Sequence, residues 1–140
     1  MAISSGIAIK FKEDCLEGVH HFSSATFKMA LYTSVASLSN GTSVYLTSAE
    51  VANGNGYTTG GSIVTVLDVT IDGSIAIVDF NSVSWTSATF TARGCLIYND
   101  TQSDKTVAVI DFGGDKTATN GTFTVQMPAA AAATAIVRLA

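Results

Sequence analysis

The stretch Trp85-Thr86-Ser87-Ala88-Thr89-Phe90-Thr91-Ala92-Arg93-Gly94-Cys95-Leu96-Ile97-Tyr98 gathers the chain's only tryptophan, one of its two cysteines, an arginine set among apolar residues and a glycine in mid-run. Its β-branched and aromatic residues favour a strand. Alternation puts Phe90, Ala92, Gly94, Leu96 and Tyr98 on one face and Thr91, Arg93, Cys95 and Ile97 on the other. Strand candidates precede and follow it, so it is expected to be the central strand of a sheet. Gly94 predicts a bulge or a close backbone approach. Arg93 must be paired or reach the strand edge. Its partner is either an aspartate of its own chain or a group across a subunit interface, where arginine is enriched.

Working outward, the clearest local signal is a hairpin. Ile63–Ile71 and Ser74–Phe80 flank Asp72-Gly73, a dipeptide that favours a two-residue type I′ turn. That turn pairs Ile71 with Ser74, Val69 with Ala76, Leu67 with Val78 and Thr65 with Phe80. Leu67, Val69, Ile71, Ala76, Val78 and Phe80 then form the core face. The reverse face mixes Val64, Val66, Ile75 and Ile77 with Asp68 and Asp79, and is expected to be partly covered by a loop or a neighbouring subunit. Further strands are predicted at Thr26–Thr33, Thr106–Phe112, Thr122–Met127 (ended by Pro128) and Ala135–Leu139. Ala129–Ala133 is ambiguous between a helical turn and a loop. Ser34–Gly61 is a long irregular region, in which Thr47-Ser48-Ala49-Glu50 matches a capping box and predicts one helical turn.

Residues 1–25 differ from the rest. Lys10, Lys12, Glu13, Asp14 and Glu17 concentrate charge, and Phe11, Cys15, Leu16, Val19 and Phe22 recur at helical spacing. A short helix over Lys12–His21 on an N-terminal arm is expected, weakened by Gly18. The pattern defines an all-β protein: an antiparallel β-sandwich, jelly-roll-like or Ig-like, with an arm (1–25) and a single domain (26–140).

Charged residues make up 13% of the chain, well below the roughly 25% typical of globular domains. Two readings follow: a tight β-sandwich with an uncharged Ser/Thr/Gly/Asn surface, or, the preferred one, a protomer that hides much of its surface in an oligomer or larger assembly. A net charge of −4 with scattered cations argues against nucleic acid or an anionic membrane as partner. No run reaches the roughly 18 apolar residues of a membrane-spanning helix. The first ten residues do not read as a signal peptide. Cys15 and Cys95 are expected to be free thiols.

Chemistry is hard to assemble from these residues. The only histidines, His20 and His21, are adjacent and point different ways, so they read as solvated arm residues rather than a catalytic base or a metal set. Gly113-Gly114-Asp115-Lys116-Thr117 lacks phosphate-loop spacing. Asp68, Asp72, Asp79, Asp111 and Asp115 lack the dense spacing of a calcium loop and read as turn and edge residues. Tyr32, Tyr45, Tyr57 and Tyr98 lie on different elements and form no stacking stripe. No enzyme, cofactor or metal is expected.

Phe27-Lys28-Met29-Ala30-Leu31-Tyr32-Thr33-Ser34, Glu50-Val51, Gly56-Tyr57-Thr58-Thr59-Gly60-Gly61, Phe90-Thr91-Ala92-Arg93-Gly94, Val107-Ala108-Val109-Ile110-Asp111-Phe112-Gly113 and Asn120-Gly121-Thr122-Phe123 follow one another in an order that resembles a family of small β-rich virion structural proteins of tailed bacteriophages. The resemblance spans about Phe11 to Leu139, and the Ala129–Ala133 run departs from the Asn/Asp-containing loop expected there. It implies a virion protein assembled in the host cytoplasm. The first expectation is a capsid cement (decoration) protein, a homotrimer bound to the major capsid protein. A tail, baseplate or fibre-associated protein is the alternative, and a carbohydrate-binding adsorption module a third. On the first reading the arm and the Ser34–Gly61 loop carry the subunit contacts, with Phe11, Leu16, Phe22, Tyr45, Tyr57 and Arg93 as interface residues.

Overall fold

The computed structural model describes residues 2–139. Its elements are β1 (Gly6–Ile7), α1 (Ile9–Leu16), β2 (Phe27–Tyr32), β3 (Ser62–Val64), β4 (Val66–Asp72), β5 (Ile75–Phe80), β6 (Val83–Asn99), β7 (Lys105–Val125) and β8 (Val137–Leu139). They form two antiparallel sheets, one of five strands in the order β1-β7-β6-β2-β3 and one of three in the order β4-β5-β8. The fold is thus all-β and sandwich-like, as the strand pattern predicts.

β6 is the central strand. One edge pairs with β2 (Leu31↔Cys95) and the other with β7 along nearly its whole length (Trp85↔Phe123, Leu96↔Val109). Strict alternation fails along it. The register shifts between Trp85 and Ala88, between Ala88 and Phe90, and between Ala92 and Gly94. The inward face changes parity between Trp85 and Ala88 and again between Ala92 and Cys95, while Ala88, Phe90 and Ala92 alternate normally. Trp85, Ala88, Ala92, Cys95 and Ile97 therefore all enter one core, shared with Phe27, Met29, Leu31, Val78, Phe80 and Phe123. Leu96 and Tyr98 enter a second cluster, so the expected grouping of Ala92 with them is corrected. Gly94 is where the backbone crowds: a Cβ there would lie 2.7 Å from the Ile110 carbonyl oxygen and 2.9 Å from Ile3 Cδ1.

The β4–β5 hairpin forms, but its turn is Gly73-Ser74 rather than Asp72-Gly73, with Asp72 opposite Ile75, Ile71 opposite Ala76 and Val69 opposite Val78. Gly73 takes the left-handed conformation (φ 64°) at the first turn position. The shift moves each partner by two residues, which preserves face parity. A bulge between Val66 and Asp68 nevertheless removes Leu67 from the inner face. Val78 and Phe80 reach the core, whereas Leu67, Val69 and Ile71 are 56%, 51% and 73% exposed. The expected core face is thus only half realised: Val78 and Phe80 on β5 are buried, and Leu67, Val69 and Ile71 on β4 are not. On the reverse side Ile77 is buried, and the loop after Pro128 ties on through the Ala132 N–H, which donates to Asp72 Oδ2 at 2.6 Å.

The first 25 residues are built into the body rather than extended from it as an arm. β1 pairs with β7 (Gly6↔Val109), and α1 buries Phe11 and Asp14. The helix begins before Lys12 and ends at Leu16, with Gly18 beyond it at φ 73°. Ser34–Gly61 is likewise packed down. Ala36 and Leu38 join Ile3, Ala30, Tyr32, Leu96, Tyr98 and Val109 in the second cluster on the outer face of the large sheet. The expected helical turn at Ser48 is absent, because Ala49 is left-handed (φ 62°) and Glu50 bridges to Tyr32 instead.

Two substitutions test this packing. Phe11→Ala is expected to cost about 3–5 kcal/mol of stability in urea denaturation, as for a core aromatic. Leu16→Ser, at a side chain 91% exposed, should leave the midpoint unchanged. A detached arm would make both silent. Gly94→Ala should cost about 1–3 kcal/mol by overpacking against Ile110 and Ile3.

Candidate functional site

The four tyrosines, scattered in sequence, gather in one cluster, two of them on Glu50 itself. Tyr32 and Tyr98 rise from neighbouring strands β2 and β6 into the second cluster. Tyr45 stacks on Tyr98, with ring centroids 4.7 Å apart and planes 17° apart. Its hydroxyl donates to Glu50 Oε2 at 2.6 Å. Tyr57 donates to Glu50 Oε1 at 2.6 Å and accepts the Leu31 N–H at 3.0 Å. The Gly60 N–H also donates to Glu50 Oε1, at 2.7 Å, and Tyr98 donates to the Gly60 carbonyl at 2.6 Å. Tyr32 donates to the Leu46 carbonyl at 2.5 Å.

This network fastens the irregular region to the sheet. Glu50 accepts three charge-assisted hydrogen bonds, and every phenol is donating. Such a carboxylate is engaged as a structural acceptor, not presented to a substrate. Burial pushes all four phenols well above their ordinary range; for Tyr45 and Tyr57 the hydrogen bond to Glu50 adds to it. Tyr57, expected at an interface, is buried, and Tyr45 is half-buried with one ring face covered by Tyr98. Alternation gave no sign of this cluster, because Tyr45, Glu50 and Tyr57 lie on backbone outside the regular strands.

A second polar cluster lies under α1. His20 is not solvated as expected. Its side chain is fully buried, 4.8 Å from the Phe11 ring and 6.3 Å from Phe27 by centroids. Nδ1 lies 3.1 Å from Asn99 Nδ2, and Nε2 lies 3.7 Å from Asp14 Oδ2 without a hydrogen bond. Asp14 also faces Lys10 at 3.4 Å and Lys105 at 3.9 Å. Burial holds the His20 imidazole below its usual value against the pull of Asp14. Neither ring nitrogen hydrogen-bonds a hydroxyl or thiol, so this cluster contains no activated nucleophile. Both cysteines are free, and burial raises their thiols rather than activating them. Among the described residues no three His, Cys, Asp or Glu side chains come close enough to hold a metal ion.

The remaining expected contacts divide. Phe11 is a core residue and unavailable to a partner, Phe22 is half-buried and stacked on Phe27 at 4.7 Å, and Leu16 is exposed. Arg93 Nε donates to Asp115 Oδ1 at 2.9 Å, both side chains being partly exposed. The arginine therefore finds its partner inside its own chain.

The feature that sequence reading missed is a groove of about 910 Å³. It arises because β7 bends sharply: Asp111 faces Gly94 and Lys116 faces Ala92, so Phe112–Asp115 bulge outward with Gly113 at φ 80°. Ile110, Phe112, Phe123, Val125 and Ile136 contribute apolar lining, and Lys116 and Arg138 are the only charged liners. Gly113-Gly114 in an otherwise strand-forming run was the available signal of the bend. The chain matches no protein-family model, no curated protein and no solved structure.

The tyrosine cluster predicts an alkaline limit. In the unfolded chain phenols ionise near pH 10.0, whereas in the folded chain they resist ionisation to higher pH. The unfolded state therefore loses protons first. Stability is full below about pH 10 and falls as pH rises above it. The thermal midpoint followed from pH 7 to 12 should stay level and then drop, with phenolate absorbance appearing together with unfolding.

Proposed function

We propose that this chain is a structural component of a tailed-bacteriophage virion, a capsid cement protein. It would bind the outer surface of the major capsid protein as a homotrimer. The observation that supports this reading most directly is the set of apolar side chains Leu67, Val69 and Ile71, held exposed on a well-packed scaffold whose Glu50 carboxylate is engaged in internal bonds. Such a set is a contact surface rather than a reaction site. In a capsid it would work by burying apolar area across subunit junctions. Repetition around a symmetric shell multiplies modest individual contacts. No residue is assigned a catalytic role.

With the arm and the Ser34–Gly61 region packed onto the sheet, the contacts first ascribed to them fall instead to the small sheet and the groove. A carbohydrate-stacking role has less to stand on, since Tyr57 is buried and Tyr45 is stacked on Tyr98. Quantitative mass spectrometry of purified virions distinguishes head from tail. A copy number tracking the major capsid protein is expected, and one matching the few copies of a tail component would move the protein there. Adding purified protein to capsids that lack it should raise their thermal disassembly temperature, and an unchanged temperature would refute cement action.

A further inference from the structure

Two unsatisfied strand edges on this molecule match one another. The first is the outer edge of β7. Its only strand partner on that side, β1, covers Ala108 and Val109, so the backbone from Lys116 to Val125 has no strand beside it among the described residues. That bare edge runs along the apolar groove. The second is the outer edge of β4, the terminal strand of the small sheet. An exposed edge with apolar side chains is a template for strand addition.

We infer that the groove receives the β4–β5 hairpin of a second copy of this chain, β4 adding to the free edge of β7. Size agrees: the seven residues of β4 extend about 23 Å at the usual strand rise, within the roughly 33 Å available from Lys116 to Val125. Chemistry agrees as well. In a chain of net charge −4, no acidic residue lines the groove, whose charges are Lys116 and Arg138, and neither makes an ion pair among the described residues. β4 supplies the complement: exposed Val69 and Ile71 alternate with Thr70 and Asp72, and Leu67 and Asp68 stand exposed at the bulge. Asp68 stands directly opposite Asp79 across the hairpin, two like charges that repel in the isolated chain. A cation from the partner's groove relieves that repulsion.

The contact is head-to-tail, since hairpin and groove are different surfaces. Each protomer uses both, and the association closes into a ring where the rotation permits. This is a route to the homotrimer, but it does not depend on the virion reading: its test uses the purified protein alone.

The test measures association by analytical ultracentrifugation. Wild type is expected to be oligomeric. The hairpin variant Val69→Lys/Ile71→Lys places cations against Lys116 and Arg138 and should weaken association by about a hundredfold or more. The groove variant Lys116→Glu/Thr122→Glu should do the same. All four altered positions are exposed, so circular dichroism and melting temperature should match wild type. Mixing the two variants is decisive. The intact groove of the first accepts the intact hairpin of the second, giving a 1:1 dimer that cannot grow. A monomeric wild type at high concentration overturns the proposal, as does undiminished association of either variant. Failure of the mixture to form the 1:1 dimer overturns the head-to-tail arrangement.

Discussion

The structure depends on the second half of β6, which is paired on both edges and buried on both faces. One edge of the strand is paired with β7 along nearly its whole length and the other with β2 from Gly94 to Asn99, and that second half is covered on both faces, by the small sheet on one side and the Ser34–Gly61 region on the other. A strand in that position cannot tolerate an unpartnered polar group. Its Thr and Ser residues are confined to the first half, where Ser84 and Thr91 pair their hydroxyls with Thr124 and Thr117 across the outer face. Its second half, Cys95 to Tyr98, is buried on both sides.

That constraint also explains what could be read in advance. Strand positions, the antiparallel class and the centrality of β6 follow from residue type and from turn-forming glycines. Side-chain direction does not, because register irregularities between β6 and β7 break the two-residue period on which face assignment rests. Nothing in residue identity alone distinguishes Ser87 at φ 49° from an ordinary strand serine. The hairpin shows the opposite case. Its turn sits one residue later than the dipeptide suggests, yet parity survives, and only the bulge at Leu67 alters the faces.

The polar clusters were illegible for a different reason. Glu50 meets Tyr45, Tyr57 and Gly60 through irregular backbone, where no period links sequence spacing to direction. His20 looked solvated because it stands beside His21 on what reads as an N-terminal arm, but α1 turns Phe11 and Asp14 inward, and the histidine packs beneath the helix with them. In both places the polar groups hold segments down rather than present themselves outward. Backbone edge and aliphatic surface coincide in the groove between the arms of bent β7.

The pairing of β2 with β6 also sets an order of events. Phe27 lies opposite Asn99, so β2 has its inner-sheet partner only after most of the chain has been synthesised. β6 and β7 are joined by a short turn and can zip locally; β2 must wait, and closing the intervening loop adds an entropic barrier. Until then Phe27, Met29 and Leu31 stand on a strand without its main ladder. The chain is therefore most vulnerable to misassociation late in its own biogenesis, before β6 emerges, and slow release of the nascent chain or transient protection of its first third would favour the native sheet.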